Sequence, residues 1–154
     1  MSEIKQIEFM DEALRLAEEA ALDDEVPVGA VIVREGRIIG RGRNQKEKKN
    51  SPISHAEIEA IQMAAQTLGD WRLTECTLYV TLEPCPMCLA ACQQARIDVV
   101  VYGAHDPKGG ALSLGYALHE DVRLNHRFKV NYQASEACGL VLKKFFSAKR
   151  SRKA

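Results

Sequence analysis

The sequence predicts an α/β domain in which a mixed five-stranded sheet carries helices on both faces. Three observations lead there. Segments of helical periodicity alternate with short Val- and Ile-rich runs in the order α-β-β-α-β-α-β-α-β-α. The runs at 28–34 and 37–42 flank Glu35-Gly36 as the two arms of a hairpin. Val99–Tyr102 is a continuous apolar run of the kind found in a fully buried strand.

The elements follow in order. Residues 7–22 place Ile7, Met10, Leu14, Ala17 and Ala21 at helical spacing with Glu and Asp on the other side, so that stripe is the expected buried face of a first helix. After the hairpin, Ile58, Ile61, Ala65 and Leu68 give a second helix closed by Gly69, which takes a positive φ without strain. Thr77–Leu82 reads as a strand. Pro84-Cys85-Pro86 opens the next helix, to about Arg96, because proline fits a first turn whose N–H groups have no intrahelical partner. Beyond Tyr102, residues 103–110 have loop composition and a short helix is expected around Leu112–His119. Phe128–Tyr132 is the last strand. Ser135 caps a final helix to Arg150, with Cys138, Val141, Leu142, Phe145 and Phe146 on its apolar side. Neither an internal repeat nor a linker interrupts the chain, so residues 1–154 are expected to form one domain with a basic tail.

Composition excludes several classes. With 154 residues, 46% hydrophobic and 27% charged with zero net charge, the chain is neither disordered nor collagen-like. Its longest apolar run, 26–33, falls far short of the ~20 residues a spanning helix needs. The opening Met1-Ser2-Glu3-Ile4-Lys5 has no basic or apolar signal character, so a cytoplasmic protein with five reduced cysteines is expected. The zero net charge is a sum of opposed blocks: residues 1–25 hold nine acidic and two basic side chains, and residues 137–154 hold six basic and no acidic ones. A second basic cluster, Arg34, Arg37, Arg41, Arg43, Lys46, Lys48 and Lys49, meets only Glu35 and Glu47. Such clusters read either as solvated surface or as the footprint of a polyanion.

Two short segments carry chemistry: His55-Ala56-Glu57 and Pro84-Cys85-Pro86-Met87-Cys88, each at the start of a helix. Alone, each is ambiguous. Ser54 and Glu57 also fit a capping box, in which Glu57 bonds a backbone N–H and does nothing else. A lone Cys-x-x-Cys could be half a zinc ribbon or a redox pair, although the early βαβ setting of the redox motif is absent. Together, one imidazole and two thiolates suit zinc, and three protein ligands leave the fourth tetrahedral position open, as in a catalytic site. Cys92 shares the helix face, but seven residues of helix rise ~10 Å, too far for a common ion. It reads as core, as do Cys76 and Cys138. His119 and His126 lie in polar surroundings and read as surface or hydrogen-bonding residues. Glu57, two residues from the histidine, can serve the water that zinc activates. His-x-Glu followed by Pro-Cys-x-x-Cys is the known signature of zinc nucleobase deaminases.

The match extends further. Glu25-Val26-Pro27-Val28-Gly29-Ala30-Val31, Gly42-Arg43-Asn44, His55-Ala56-Glu57, 79–88, Gly103-Ala104-His105-Asp106-Pro107-Lys108, Asn125-His126-Arg127 and the tail 145–150 resemble, in order and spacing, the bacterial tRNA-specific adenosine deaminases of the cytidine deaminase superfamily. This resemblance implies a three-layer cytidine deaminase-like fold, one Zn2+ per chain held by His55, Cys85 and Cys88, Glu57 as the catalytic acid–base, and a homodimer. The implied reaction is deamination of the wobble adenosine of an arginine tRNA anticodon to inosine. By the same resemblance, Asn44 bonds the flipped base, Val28 walls its pocket and Asp106 lies beside the target nucleotide. Lys108, Phe145 and Arg150 fall near the anticodon loop. Two departures lie at the expected RNA edge: Ala111-Leu112-Ser113-Leu114-Gly115 stands where the family has Gly-Ser-Leu, and His105 fills a position often held by another polar residue. Two other readings remain at this stage, a free-base deaminase acting on guanine or cytosine and a non-catalytic zinc-stabilised RNA-binding module. Loop RNA is the favoured substrate because its bases are already splayed, whereas a duplex base costs a few kcal/mol to unstack.

Overall fold

Period-2 alternation in the central strands decides the layering. In β1 (Gly29–Arg34) the side chains of Ala30 and Ile32 enter one core cluster while Val31 and Val33 enter another. β3 (Cys76–Val80) divides the same way, Leu78 and Val80 against Tyr79, and β4 (Val99–Tyr102) puts Val100 and Tyr102 opposite Val101. On the first face lie α2 (Ala56–Leu68) and α3 (Pro86–Gln94); on the second lie α1 (Glu3–Leu22) and α4 (Glu136–Lys153). This computed structural model describes residues 2–153, and the Lys153 side chain lies outside the described residues.

The sheet is mixed, in the order β2-β1-β3-β4-β5, with β2 spanning Arg37–Arg43 and β5 Lys129–Tyr132. β1 runs antiparallel to both neighbours, whereas β3, β4 and β5 are parallel, with Val80, Tyr102 and Tyr132 level at their carboxyl ends. The hairpin turns on Glu35 and Gly36, both at positive φ (51° and 75°), which is the primed turn that suits strand twist.

Two expectations change. The buried stripe of α1 is Phe9, Met10, Ala13, Leu16, Ala17 and Ala20, and Ile7 is 49% exposed. The cause is Gly29: a Cβ there would stand 1.9 Å from the Ala13 carbonyl oxygen, so α1 seats its small residues on the strand. In α2, likewise, Ala56, Ala60 and Ala64 are the fully buried apolar residues, while the expected Ile61, Ala65 and Leu68 pack partly buried against the same cluster, and a Cβ on Gly42 would lie 2.1 Å from the Ala56 oxygen. The helix expected at Leu112–His119 is a run of turns instead. Its amides serve other partners, Ser113 N–H donating to the Glu83 carboxylate, and Gly115 at φ 90° leaves the right-handed path. No helix among the described residues is long and apolar enough to cross a membrane.

Candidate active site

The two segments that carry His55 and the Cys85/Cys88 pair end up at the carboxyl end of β3, where α2 and α3 begin. His55 is the N-cap of α2 and Cys85 the N-cap of α3, both with extended backbone and neither using its side chain as a cap. Pro86 takes the first helical turn of α3, and Cys88 follows within that turn. The helix therefore starts one residue later than a Ser54 capping box requires, and Glu57 sits at the second helical position, not the third. Glu57 is nevertheless buried, with 4% of its surface exposed.

His55 Nδ1 lies 3.6 Å from Cys85 Sγ and 3.5 Å from Cys88 Sγ. One ligand atom from each of the three residues lies within 4.8 Å of the others, a group that can hold a metal ion. The Cys88 thiol and burial oppose each other at Cys85: hydrogen bonds from Cys88 and His55 win and hold its thiol down to about 4. Cys88 is pushed up by its bond to Cys85 and by burial. The hydrogen bond to Cys85 raises the His55 imidazole. Burial pushes the Glu57 carboxyl up to about 7, where a carboxyl group can both take and return a proton near neutral pH.

A cavity of ≈ 190 Å³ opens over this cluster. Drug-sized ligand pockets begin at about 300 Å³, so this one suits a single small planar group. Of the residues expected from sequence, Val28, Asn44, His55, Glu57, Cys85 and Asp106 line it. Asn44 is anchored: Nδ2 donates to the Val26 carbonyl at 3.1 Å and Oδ1 accepts from Lys46 N–H at 3.2 Å, leaving one donor and one lone pair for a ligand. Lys108, Phe145 and Arg150 are not among the lining residues. Lys108 and Arg150 are exposed, and Arg150 reaches Ser147 Oγ at 3.3 Å. Phe145 is 8% exposed, beside a groove shared by α1 and α4, while Phe146 carries the exposed ring. Cys92, Cys76 and Cys138 are fully buried core. Of the two histidines expected to be surface or hydrogen-bonding residues, His126 bonds the Ile97 carbonyl at 2.7 Å, whereas His119 is buried against Phe128.

Sequence reasoning missed the two buried carboxylates that shape the rim. Glu25 accepts the N–H groups of Glu47 at 3.0 Å and Lys48 at 2.8 Å, fixing the loop that starts at Asn44. Glu83, in the pocket wall, accepts Asp106 N–H at 3.1 Å, Ser113 N–H at 2.8 Å and Ser113 Oγ–H at 2.7 Å. Only Gly fits at 110, since a Cβ would stand 2.0 Å from Glu83 Oε2. The available signal was a charged residue wedged between an apolar strand and Pro84. Lys46, Val26 and Leu82, which also line the cavity, gave none.

Burial raises the Glu83 carboxyl, but the bonds from Ser113 and Asp106 outweigh it and hold the group below its ordinary 4.5. Its stabilising contribution is thus fully present above 4.5 and is lost as pH falls through the lower folded value. Glu83→Ala should cost about 1–3 kcal/mol, because the Asp106 and Ser113 donors lose their acceptor, and should remove that acid-sensitive component. Thermal melts of both proteins at pH 7 and pH 3 check this; equal acid sensitivity would contradict it.

The opposed charge blocks meet in space. Acidic side chains of α1 and of Asp23 just after it pair with the second basic cluster: Glu19 and Asp23 with Arg43, Asp23 with Lys48, and Glu12 with Arg41. Asp24 takes Lys149 at 3.5 Å and Arg152 at 3.3 Å from the tail. Among the described residues, Lys46, Lys108, Lys143, Lys144 and Arg150 form no ion pair with an acidic group.

Comparison with known proteins follows the same lines. The sequence matches the MafB19-like deaminase family over residues 4–150. It is 45% identical over 150 residues to a tRNA-specific adenosine deaminase of Streptococcus pyogenes serotype M1, covering 97% of this chain and 88% of that one. A solved structure from work on A-to-I editing by tRNA:A34 deaminases at the wobble position of transfer RNA is 44% identical. It superposes with a TM-score of 0.83 over 88% of this chain and 99% of that one. A guanine deaminase from Bacillus subtilis is more distant, at 33% identity and a TM-score of 0.64 over 98% and 95% of the two chains. Similarity along nearly its whole length places this chain in the MafB19-like deaminase family, among the bacterial tRNA-specific adenosine deaminases.

Proposed function

We propose that this protein hydrolytically deaminates adenosine to inosine at the wobble position of a tRNA anticodon. The observation that carries the reading is Glu57: a carboxyl group buried in the wall of a base-sized cavity beside His55, Cys85 and Cys88.

Those three residues fit zinc. With Zn–S of ~2.3 Å and Zn–N of ~2.0–2.1 Å, tetrahedral geometry separates sulfur from nitrogen by ~3.6 Å, and the observed separations are 3.6 and 3.5 Å. Bound there, zinc would supply a water made acidic enough to lose a proton near pH 7. Glu57 takes that proton and places it on N1 of adenine, which makes C6 electrophilic. After the oxygen adds at C6, Glu57 passes the second proton to the amino nitrogen; the C6–N bond breaks, ammonia leaves and inosine remains. Asn44 bonds the base edge, Val28 packs on its face, and Asp106 borders the nucleotide. Lys108 and Arg150, free of acidic partners, lie in wait for phosphate, while Phe145 acts from below by holding α4 on α1.

A homodimer belongs to the same reading, supported by the resemblance along the chain, and a cytoplasmic setting is supported by five free cysteines. Against a free-base deaminase stand the greater similarity to the tRNA enzymes and the unpaired basic residues of α4. Against a non-catalytic zinc module stand a ligand set of three residues, where a closed structural site uses four, and the placement of Glu57.

Transcribed anticodon stem-loops should be deaminated far faster than free adenosine, guanine or cytosine, because remote contacts hold the base in place. Affinity should weaken with salt at a slope of ~0.7 per neutralised phosphate. Ending the chain after Phe146 should raise the KM for RNA and flatten that slope. Efficient turnover of free guanine, indifferent to salt and to the truncation, would overturn the proposal.

A further inference from the structure

The parallel strands β3, β4 and β5 end level with one another, and the active site occupies the end of the first. Two strand spacings away, about 10 Å, Tyr132 closes β5. Its ring lies on that of His105, centroids 3.9 Å apart and planes inclined by 31°. His105 immediately precedes Asp106 of the pocket wall. Its Nδ1 is 3.3 Å from Tyr102 Oη and 3.6 Å from Glu83 Oε1. The buried Tyr102 ring braces both, at 5.4 Å from His105 and 5.3 Å from Tyr132.

Two rings are thus fixed against each other and from one side, yet Tyr132 is 48% and the His105 side chain 51% exposed. A pair of rings held half in water adds little to the core, and neither ring belongs to the two core clusters. What the arrangement does provide is a preorganised aromatic surface at the rim of a base-sized pocket, with the unpaired Lys108 three residues along the same loop. Single-stranded RNA is recognised by such surfaces, since every unpaired base has a face that stacks on Tyr or His. The Tyr102 hydroxyl and ring orient His105 in advance, so little ordering is left to do on binding.

We propose that His105 and Tyr132 form a stacking platform for an unpaired base adjacent to the target adenosine in the anticodon loop. The proposal rests on the tRNA reading above and names a second base subsite for it. Tyr132 is a substrate-binding residue in this account and takes no part in proton transfer.

The test pairs protein variants with RNA lacking single bases. Wild type, Tyr132→Leu, Tyr132→Ala and Tyr132→Phe are assayed on an anticodon stem-loop and on versions with an abasic site at each loop position flanking the adenosine. Tyr132→Leu and Tyr132→Ala should lower kcat/KM on the intact loop about tenfold, mainly through KM, the size of one lost base–aromatic stack. Tyr132→Phe should restore it. On the loop abasic at one flanking position, wild type and Tyr132→Leu should become equal, while abasic sites elsewhere preserve their difference. A penalty that persists on every abasic loop, an absent penalty, or failure of Phe to rescue would overturn the platform. Should wild type deaminate no stem-loop while turning over free bases, it is the tRNA reading that fails.

Discussion

Replacing Glu57 by Gln should abolish turnover and leave the fold standing. Gln keeps the size and hydrogen-bonding reach of Glu but cannot accept a proton. Positioned acid–base groups contribute about 10²–10⁴ in rate, and one residue moving both protons should cost at least the upper part of that range. The backbone N–H at position 57 keeps an acceptor in the exchange, since the Gln amide oxygen can take the place of the carboxylate oxygen that bonds it. Stability should hold or rise slightly, because a buried carboxyl group raised to about 7 by desolvation gives way to a neutral amide. Single-turnover rates and a thermal melt on the same preparation check both halves. Near-normal turnover with a lowered melting point would return Glu57 to a structural role.

Cys88→Ala should lose the metal. Cys88 is fully buried at the start of α3, and its sulfur is 3.5 Å from His55 Nδ1. With one thiolate gone, Cys85 and His55 remain as a two-ligand site, and bound zinc should fall from one per chain to near zero. Stability should fall with it, by the linkage that metal binding supplies, about 4 kcal/mol at a thousandfold excess over Kd. Cys92→Ala separates a ligand role from general packing: that sulfur is equally buried in the same helix but lies outside the metal-ligand group. Its zinc content should stay at one per chain. Elemental analysis and melting curves of the two variants check the assignment, and full zinc in Cys88→Ala would contradict it.

What could be read from the sequence was what repeats or has fixed spacing. The order of helical and Val- and Ile-rich segments foretold a sheet packed on both faces, and the spacing of His55, Cys85 and Cys88 against two helix starts foretold their convergence. Glycines hid part of the rest. Gly29 and Gly42 let α1 and α2 approach the sheet so closely that Ala13 and Ala17, and Ala56 and Ala60, meet the strands there, while Ile7 stays half exposed. The segment 112–119 has helical composition, yet its conformation is set by Glu83, thirty residues earlier than Ser113, through a contact that no local pattern encodes. Glu25 and Glu83 look like surface charges in a linear reading because burial of a carboxylate depends on which amides the fold brings to it. Likewise the basic cluster at 34–49 could be read either as solvated surface or as a polyanion footprint, and only the fold brings Glu12, Glu19 and Asp23 to Arg41, Arg43 and Lys48.

Conversion of one loop adenosine to inosine at this site is measured by incubating the zinc-loaded protein with unmodified tRNA and mapping inosine by nuclease digestion and mass spectrometry. Inosine is expected at the first anticodon position, at most one per tRNA molecule, and none with Glu57→Gln. Absence of inosine, inosine scattered along the tRNA, or inosine formed equally well by Glu57→Gln would contradict it.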